Sequence, residues 1–449
     1  MAADRGKPAL DLTRRRRNFR RWAIRWLVAT ACFALGCGEA RAAWLKVTLP
    51  ELTLMADLPS ETARRWMVAL EESRQAIRQV LPLGEDPVPP PTVVLLRNED
   101  ALYRFKPRDE SGVHTFVGAY FVRNRWLIAG SSGGRARDAQ RRVIHELVHW
   151  HLAALPERPP LWLEEGLAEV LCTIDVGRTR ARVGRPVPDH YFGLKKFGVR
   201  PLGDLLSRSD AGLQFADREL PNNRAFYAHA WLLTHYLWLG AEPGGDARVR
   251  RLLDLPRQTA SAATHLEAAT GLKVAELEPK LRDYARRPRF PNVQKPIARA
   301  ERINPQIEPA TDSEVQAVLG NLLMSLGRWE DAAEHFSAAE RLDPQNGAAQ
   351  VGLGEIALAQ QRVGEALERF ERGATLGAES SFSCLMRAEH QLGDGQADPR
   401  RLLPTDATAA AALLHRAAQL DPHLVRAYER LGYLALTLPS PTAADAALL

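Results

Sequence analysis

The chain is short of cysteine, of long apolar runs and, outside its first residues, of excess positive charge. It has four cysteines in 449 residues. Cys32 and Cys37 fall in a basic leader, while Cys172 and Cys384 fall in different candidate domains, so there is no disulfide framework. The most apolar early stretch, Trp26 to Gly36, is shorter than the roughly 20 residues a spanning helix needs, and no later run is longer and equally apolar. No transmembrane span is expected in the mature chain. Residues 1–42 hold ten Arg or Lys against three Asp or Glu, a net of +7, so the formal +6 of the whole chain becomes −1 without them. A nucleic-acid partner would need a retained basic face, and none is left.

The leader itself reads as a targeting segment. Arginines cluster within residues 14–25, the apolar run follows, and Ala40-Arg41-Ala42 has the small-x-small pattern of a cleavage site. A signal peptide over 1–42 and an exported, periplasmic, soluble mature protein are expected. Two variants stay open. Arg16-Arg17-Asn18-Phe19 partly matches a twin-arginine signal, and Ala34-Leu35-Gly36-Cys37 loosely matches a lipoprotein box that would anchor the protein through Cys37.

The chemistry lies in His145-Glu146-Leu147-Val148-His149 and, just downstream, Trp162-Leu163-Glu164-Glu165-Gly166. Residues four apart share a helix face, so His145 and His149 can aim at one ion with Glu146 beside them. Ile144, Leu147, Val148 and His151 form the buried stripe of that helix, which makes His151 a core histidine. Pro159-Pro160 opens a second helix whose apolar face is Leu163, Leu167, Val170 and Leu171, with Glu165 and Glu169 on another face. Catalytic zinc takes three protein ligands and keeps a fourth position for water, so two histidines need an acidic partner. Glu164 is either a first-turn carboxylate or a substitute ligand, and Glu169 is either a group orienting a ligand or a surface charge.

These residues resemble the gluzincin metallopeptidases, especially bacterial peptidase-MA-like proteins of unknown function, in which a W-L-x-E-G-x-A-E segment follows the H-E-x-x-H helix. The resemblance covers about residues 44–290. It implies an α+β zincin-like domain binding Zn2+ through His145, His149 and Glu165, with Glu146 as the base. It also implies a later Tyr or His that steadies the oxyanion, for which Tyr227 is the candidate, while His229 reads as a packing residue.

Ahead of the motif, Thr115–Val122 and Trp126–Ala129 read as a hairpin around Arg123-Asn124-Arg125, offering an edge strand to an extended peptide. Trp44–Thr48, Thr53–Ala56 and Thr92–Leu96 read as further strands and Glu61–Leu81 as a helix. Residues 136–285 read as mainly helical, and proline-rich 291–309 as a linker. Beyond it, Leu319-Gly320, Ala332, Phe336 and Ala339 recur 34 residues later as Leu353-Gly354, Ala366, Phe370 and Gly373. That period and those residues resemble the tetratricopeptide repeat, an all-α solenoid, over 310–449. A degenerate third unit spans the interruption Gly393–Pro404, and a fourth begins at Leu431-Gly432.

Two functions follow. The first is an exported zinc peptidase with a peptide or protein substrate and a protein partner on its repeats. The second is a non-catalytic envelope adaptor that retains a peptidase-like fold.

Overall fold

A mixed six-stranded sheet with both faces apolar sets the position of everything else. The computed structural model describes residues 44–81, 83, 88–108, 118–208, 221–240, 243–255, 261–298, 303–393 and 404–437. The leader, with its cleavage, twin-arginine and Cys37 readings, lies outside the described residues, as does most of the interruption after Gly393.

The first part of the chain runs β1 (Leu45–Leu49), β2 (Leu52–Ala56), α1 (Ser60–Val80), β3 (Thr92–Leu96), α2 (Glu99–Tyr103), β4 (Ala119–Val122), β5 (Leu127–Ser131), α3 (Ala136–Leu152) and α4 (Leu161–Leu171). It continues with β6 (Asp175–Val176), β7 (Arg180–Val183), α5 (Pro188–Phe197), α6 (Leu202–Leu206), α7 (Pro221–His235), α8 (Gly245–Asp254), α9 (Ala262–Thr270), α10 (Val274–Arg286), β8 (Val293–Pro296) and β9 (Gln306–Pro309). The remaining helices are α11 (Asp312–Ser325), α12 (Trp329–Leu342), α13 (Gly347–Ala359), α14 (Val363–Thr375), α15 (Ser381–Leu392), α16 (Pro404–Leu420) and α17 (Val425–Thr437).

Strands order as β4-β5-β3-β2-β1-β9. β3 runs parallel to β2 and β5, while β4 is antiparallel to β5 and both β2 and β9 are antiparallel to β1. Among the described residues β4 is an edge strand, as the hairpin reading allowed.

Strand composition explains why the sheet needs cover on both sides. Side chains alternate along a strand, and Val93-Val94-Leu95-Leu96 has no polar member, so neither face tolerates water. Val93, Leu95, Ile128 and Leu54 join one core with Trp66, Met67 and Leu70 of α1 and Val143 and Leu147 of α3. Val94, Leu96, Tyr120, Val122, Leu127 and Ala129 face the other way and meet Val315, Leu319, Leu322 and Leu323 of α11 and Phe336 of α12. The repeat helices are therefore the second layer of the sheet.

The stretch expected as a linker is built into this fold. Gln306–Pro309 pairs with β1, placing Lys46 opposite Glu308, and Lys46 Nζ also reaches Glu314 at 2.9 Å. Val293–Pro296 pairs with β7 in a separate three-stranded sheet, β6-β7-β8. The expectation of a mainly helical 136–285 thus missed β6 and β7. Proline suits both β8 and β9 because each lies at a sheet edge, where a missing N–H goes unused.

The repeat period survives as repeated packing. A Cβ on Gly320 would lie 3.0 Å from the Phe336 ring, and a Cβ on Gly354 would lie 2.6 Å from the Phe370 ring. Both phenylalanines are fully buried, with Ala332 and Ala366 beside them in the sequence pattern. Helices α15 and α16 form the third pair and α17 opens the fourth. No helix among the described residues is long and apolar enough to cross a membrane.

Candidate metal centre

Helices α3 and α4 carry the two motifs, and both are buried where they meet. Every residue of α4 and every residue of α3 from Val143 to Leu152 is buried. Gly166 lets a third helix close in: a Cβ there would sit 2.0 Å from Thr234 Oγ1 and 2.5 Å from the Ala230 carbonyl, both on α7. The glycine of the downstream motif is therefore a packing requirement between α4 and α7.

Three donor atoms converge between α3 and α4. His145 Nε2 lies 3.1 Å from His149 Nε2 and 3.1 Å from Glu165 Oε2, and His149 Nε2 lies 3.6 Å from that same oxygen. Donors at 2.0–2.2 Å in a tetrahedron around zinc stand about 3.3–3.6 Å apart. The observed triangle has nearly that size.

The opposite edges of both rings are held by carboxylates. His149 Nδ1 is 3.1 Å from Glu164 Oε1, and His145 Nδ1 is 3.3 Å from Glu169 Oε1. An ionised carboxylate only accepts, so each Nδ1 is the donor, and a ring that is neutral, as a metal ligand must be, turns its Nε2 lone pair inward. In that form two lone pairs and a carboxylate oxygen face one another, a donor set that suits a divalent cation. Burial lowers the pKa of His149, but Glu165 and Glu164 outweigh it and raise it to about 10; burial raises Glu165, but His149 and His145 hold it well below the usual carboxylate range. Without a metal that charge balance is met by a proton on His149, and the donor set of two imidazoles and a carboxylate fits a divalent ion of the zinc type.

A second grouping of His145, Glu169 and Cys172 is also close enough to hold a metal. We favour the first, because Cys172 Sγ donates to the Glu169 carbonyl at 3.2 Å and the Glu169 carboxylate is shared among cations. His190 Nε2 approaches its Oε2 at 3.0 Å and Arg141 Nη1 at 3.9 Å. The His190 contact is close but poorly directed for a hydrogen bond, since that ring nitrogen has no partner of correct angle. Burial raises the Glu169 pKa, yet His190 and His145 bring it well below the ordinary value.

Glu164 is equally committed. Arg158 Nε donates to its Oε2 at 2.5 Å, and Arg123 Nη2 lies 3.9 Å from its Oε1. Glu169 is buried against His145 and is no surface charge, while Glu164, in the first turn of α4, faces His149 Nδ1, a contact that neither of its two expected roles included. Glu146 is buried on α3 directly after His145. Tyr227 lies buried on α7, its ring 5.6 Å from that of Phe226 in an edge-on contact. His229 is structural: its Nε2 accepts from the Arg200 N–H at 2.8 Å and its Nδ1 donates to the Ala225 carbonyl. His151 is the expected core histidine; burial, helped by Arg74, depresses it to about 3.

His190, Arg158 and Arg123 were missed in the sequence. His190 follows Pro188 at the start of α5, with no spacing that ties it to the His145–His149 motif, and Arg158 sits in the loop that ends at Pro159-Pro160.

A family model for the tetratricopeptide repeat matches residues 318–381. No curated protein is similar enough to the chain to count as a relative. The matched segment runs from α11 to the first residue of α15, so it spans most of the two regular helix pairs. Repeats of this kind serve protein–protein interaction, and protein partners are indicated for this region of the chain.

Proposed function

We propose that the protein is an exported zinc-dependent peptidase of the gluzincin type. The observation that carries this reading is the 3.1–3.6 Å triangle of His145 Nε2, His149 Nε2 and Glu165 Oε2. His145, His149 and Glu165 hold the ion, and Glu164 and Glu169 keep the ring nitrogens turned toward it. Bound zinc supplies Lewis acidity that lowers the pKa of water to about 7. Glu146 takes the proton of the attacking water and returns it to the leaving amine. Tyr227, from the helix against α4, is assigned to steady the oxyanion. Edge strand β4, antiparallel to β5 and packed near α3, offers backbone groups that an extended peptide can pair with. Residues 1–42 direct export to the periplasm.

A second reading, an envelope adaptor that no longer catalyses, draws on the repeat match alone. The two separate in one experiment. The purified protein is expected to hold one zinc per chain and hydrolyse peptide substrates, while Glu146→Gln keeps the metal and loses hydrolysis. Equal activity in the two proteins would remove Glu146 from its role, and absence of metal from both would favour the adaptor.

A further inference from the structure

The turn between β4 and β5 touches the repeat helices with one end and the metal centre with the other. Arg125 Nη1 donates to Glu355 Oε1 at 3.2 Å and to Asn321 Oδ1 at 3.1 Å, while Nη2 closes a second contact to Glu355 Oε2. Glu355 also accepts from Ser380 Oγ at 2.9 Å. Trp126 adopts a left-handed backbone, φ 51°, unusual for a residue with a side chain, and its indole N–H donates to the Leu420 carbonyl at 2.9 Å. Nearby, His423 Nε2 donates to the Ala153 carbonyl at 2.6 Å, at the C-terminal end of the helix that carries His145 and His149.

Asn321, Glu355 and Ser380 belong to the first helices, or the cap, of three successive repeat pairs: α11, α13 and α15. These first helices also touch one another, α11 with α13 and α13 with α15, which places them on the inner side of the array. That inner side is the surface on which helical repeats receive a partner segment. Here the segment is the chain's own turn.

The same turn carries Arg123, whose guanidinium lies 3.9 Å from Glu164 Oε1, the atom that accepts from His149 Nδ1. We propose that the repeat array is an intramolecular clamp: Glu355 and Asn321 hold Arg125, the held turn sets Arg123 against Glu164, and Glu164 sets the His149 ring. Arg125 is then a positioning residue for a metal ligand it does not touch. The zinc half of this inference rests on the metal-site reading above; the docking of the turn does not.

The test uses the full chain and two readouts, hydrogen exchange across residues 119–131 and zinc affinity by competition with a chelator. Arg125→Met and Glu355→Gln are each expected to speed exchange in the turn and to weaken zinc severalfold, less than the roughly tenfold or more that follows loss of the group orienting a metal-bound histidine, because Arg158 still holds Glu164. The exchanged pair Arg125→Glu with Glu355→Arg is expected to recover part of both. Ser380→Ala, which removes one hydroxyl from Glu355, is the mild variant for use where the others do not fold; it should shift both readouts less, in the same direction. Unchanged exchange in the turn would overturn the clamp, and faster exchange with unchanged zinc affinity would overturn the coupling. A wild-type chain that binds no zinc would refute the metal-site reading and the coupling with it, leaving the exchange data to decide the clamp.

Discussion

Glu164 and His149 face each other across 3.1 Å, with the carboxylate of Glu165, the next residue, on the other side of the same ring. Two adjacent acids thus face opposite edges of one imidazole, Glu164 at Nδ1 and Glu165 at Nε2. Glu164→Gln keeps the size and removes the fixed acceptor charge. It is expected to weaken zinc about 10- to 100-fold, with a similar loss for Glu169→Gln, as measured by chelator competition.

Metal should also stabilise the fold, since the triangle exists only when α3 and α4 are packed. At free zinc 100 times its dissociation constant the gain is about 2.7 kcal/mol. A chelator is expected to lower the melting temperature of the wild type and to leave that of Glu165→Gln nearly where it was. Calorimetry with and without chelator gives the answer.

Gly166→Ala tests the contact between α4 and α7. The added methyl meets Thr234 and the backbone at Ala230, so the helices must part. A loss of about 1–3 kcal/mol is expected from overpacking, larger than the roughly 1 kcal/mol of helix propensity gained. Denaturant titration measures the difference.

Two buried histidines set the acid response. Burial depresses His151 to about 3 and His235 to about 4, and His235 is clamped between the Tyr284 hydroxyl at 2.8 Å and the Gly184 carbonyl at 2.9 Å. Their folded pKa values lie below the unfolded value, so their contribution is complete above about pH 6.5 and shrinks as pH falls toward the folded values. The raised pKa of His149 acts in the opposite sense, favouring the folded chain below about pH 6.5 and losing that contribution as pH rises toward 10. Between pH 6.5 and 4.5, metal-free protein is expected to lose up to about 1.4 kcal/mol per pH unit for each neutral histidine. Urea midpoints across that range in chelator report the slope, and it should flatten in His235→Gln.

Removing residues 310–449 should not yield a free-standing first domain. Val94, Leu96, Tyr120, Val122, Leu127 and Ala129 lose the helices that cover them, at about 1.5–3 kcal/mol for each large side chain. The truncated chain is expected to aggregate and bind a hydrophobic dye, whereas a soluble chain with the wild-type melting temperature would count against the shared core.

Local patterns were readable in the sequence and distant pairings were not. Helical spacing put His145 and His149 on one face, whereas the likeness to the gluzincins, and not spacing, picked Glu165 from the next helix as their partner. Strand Thr92–Leu96 announced itself by composition, and the 34-residue echo of Gly320 and Phe336 in Gly354 and Phe370 recorded a packing contact made twice. Gln306–Pro309 gave no such signal: four residues with a terminal proline resemble a linker unless β1 is known to lie beside them. Likewise, the unbroken apolar run of β3 stated that both faces are covered without stating by what. His190 reaches Glu169 from a helix whose sequence carries no metal pattern, so only the folded chain brings it in.

Strand β9 carries a kinetic consequence. It must return to β1 after all of β2 to β8 has been made, and a pairing between segments so far apart is slow to form because so much chain must first be gathered in. Until then the sheet has neither its outer rail nor its roof of helices, so this edge and this face are the last to close.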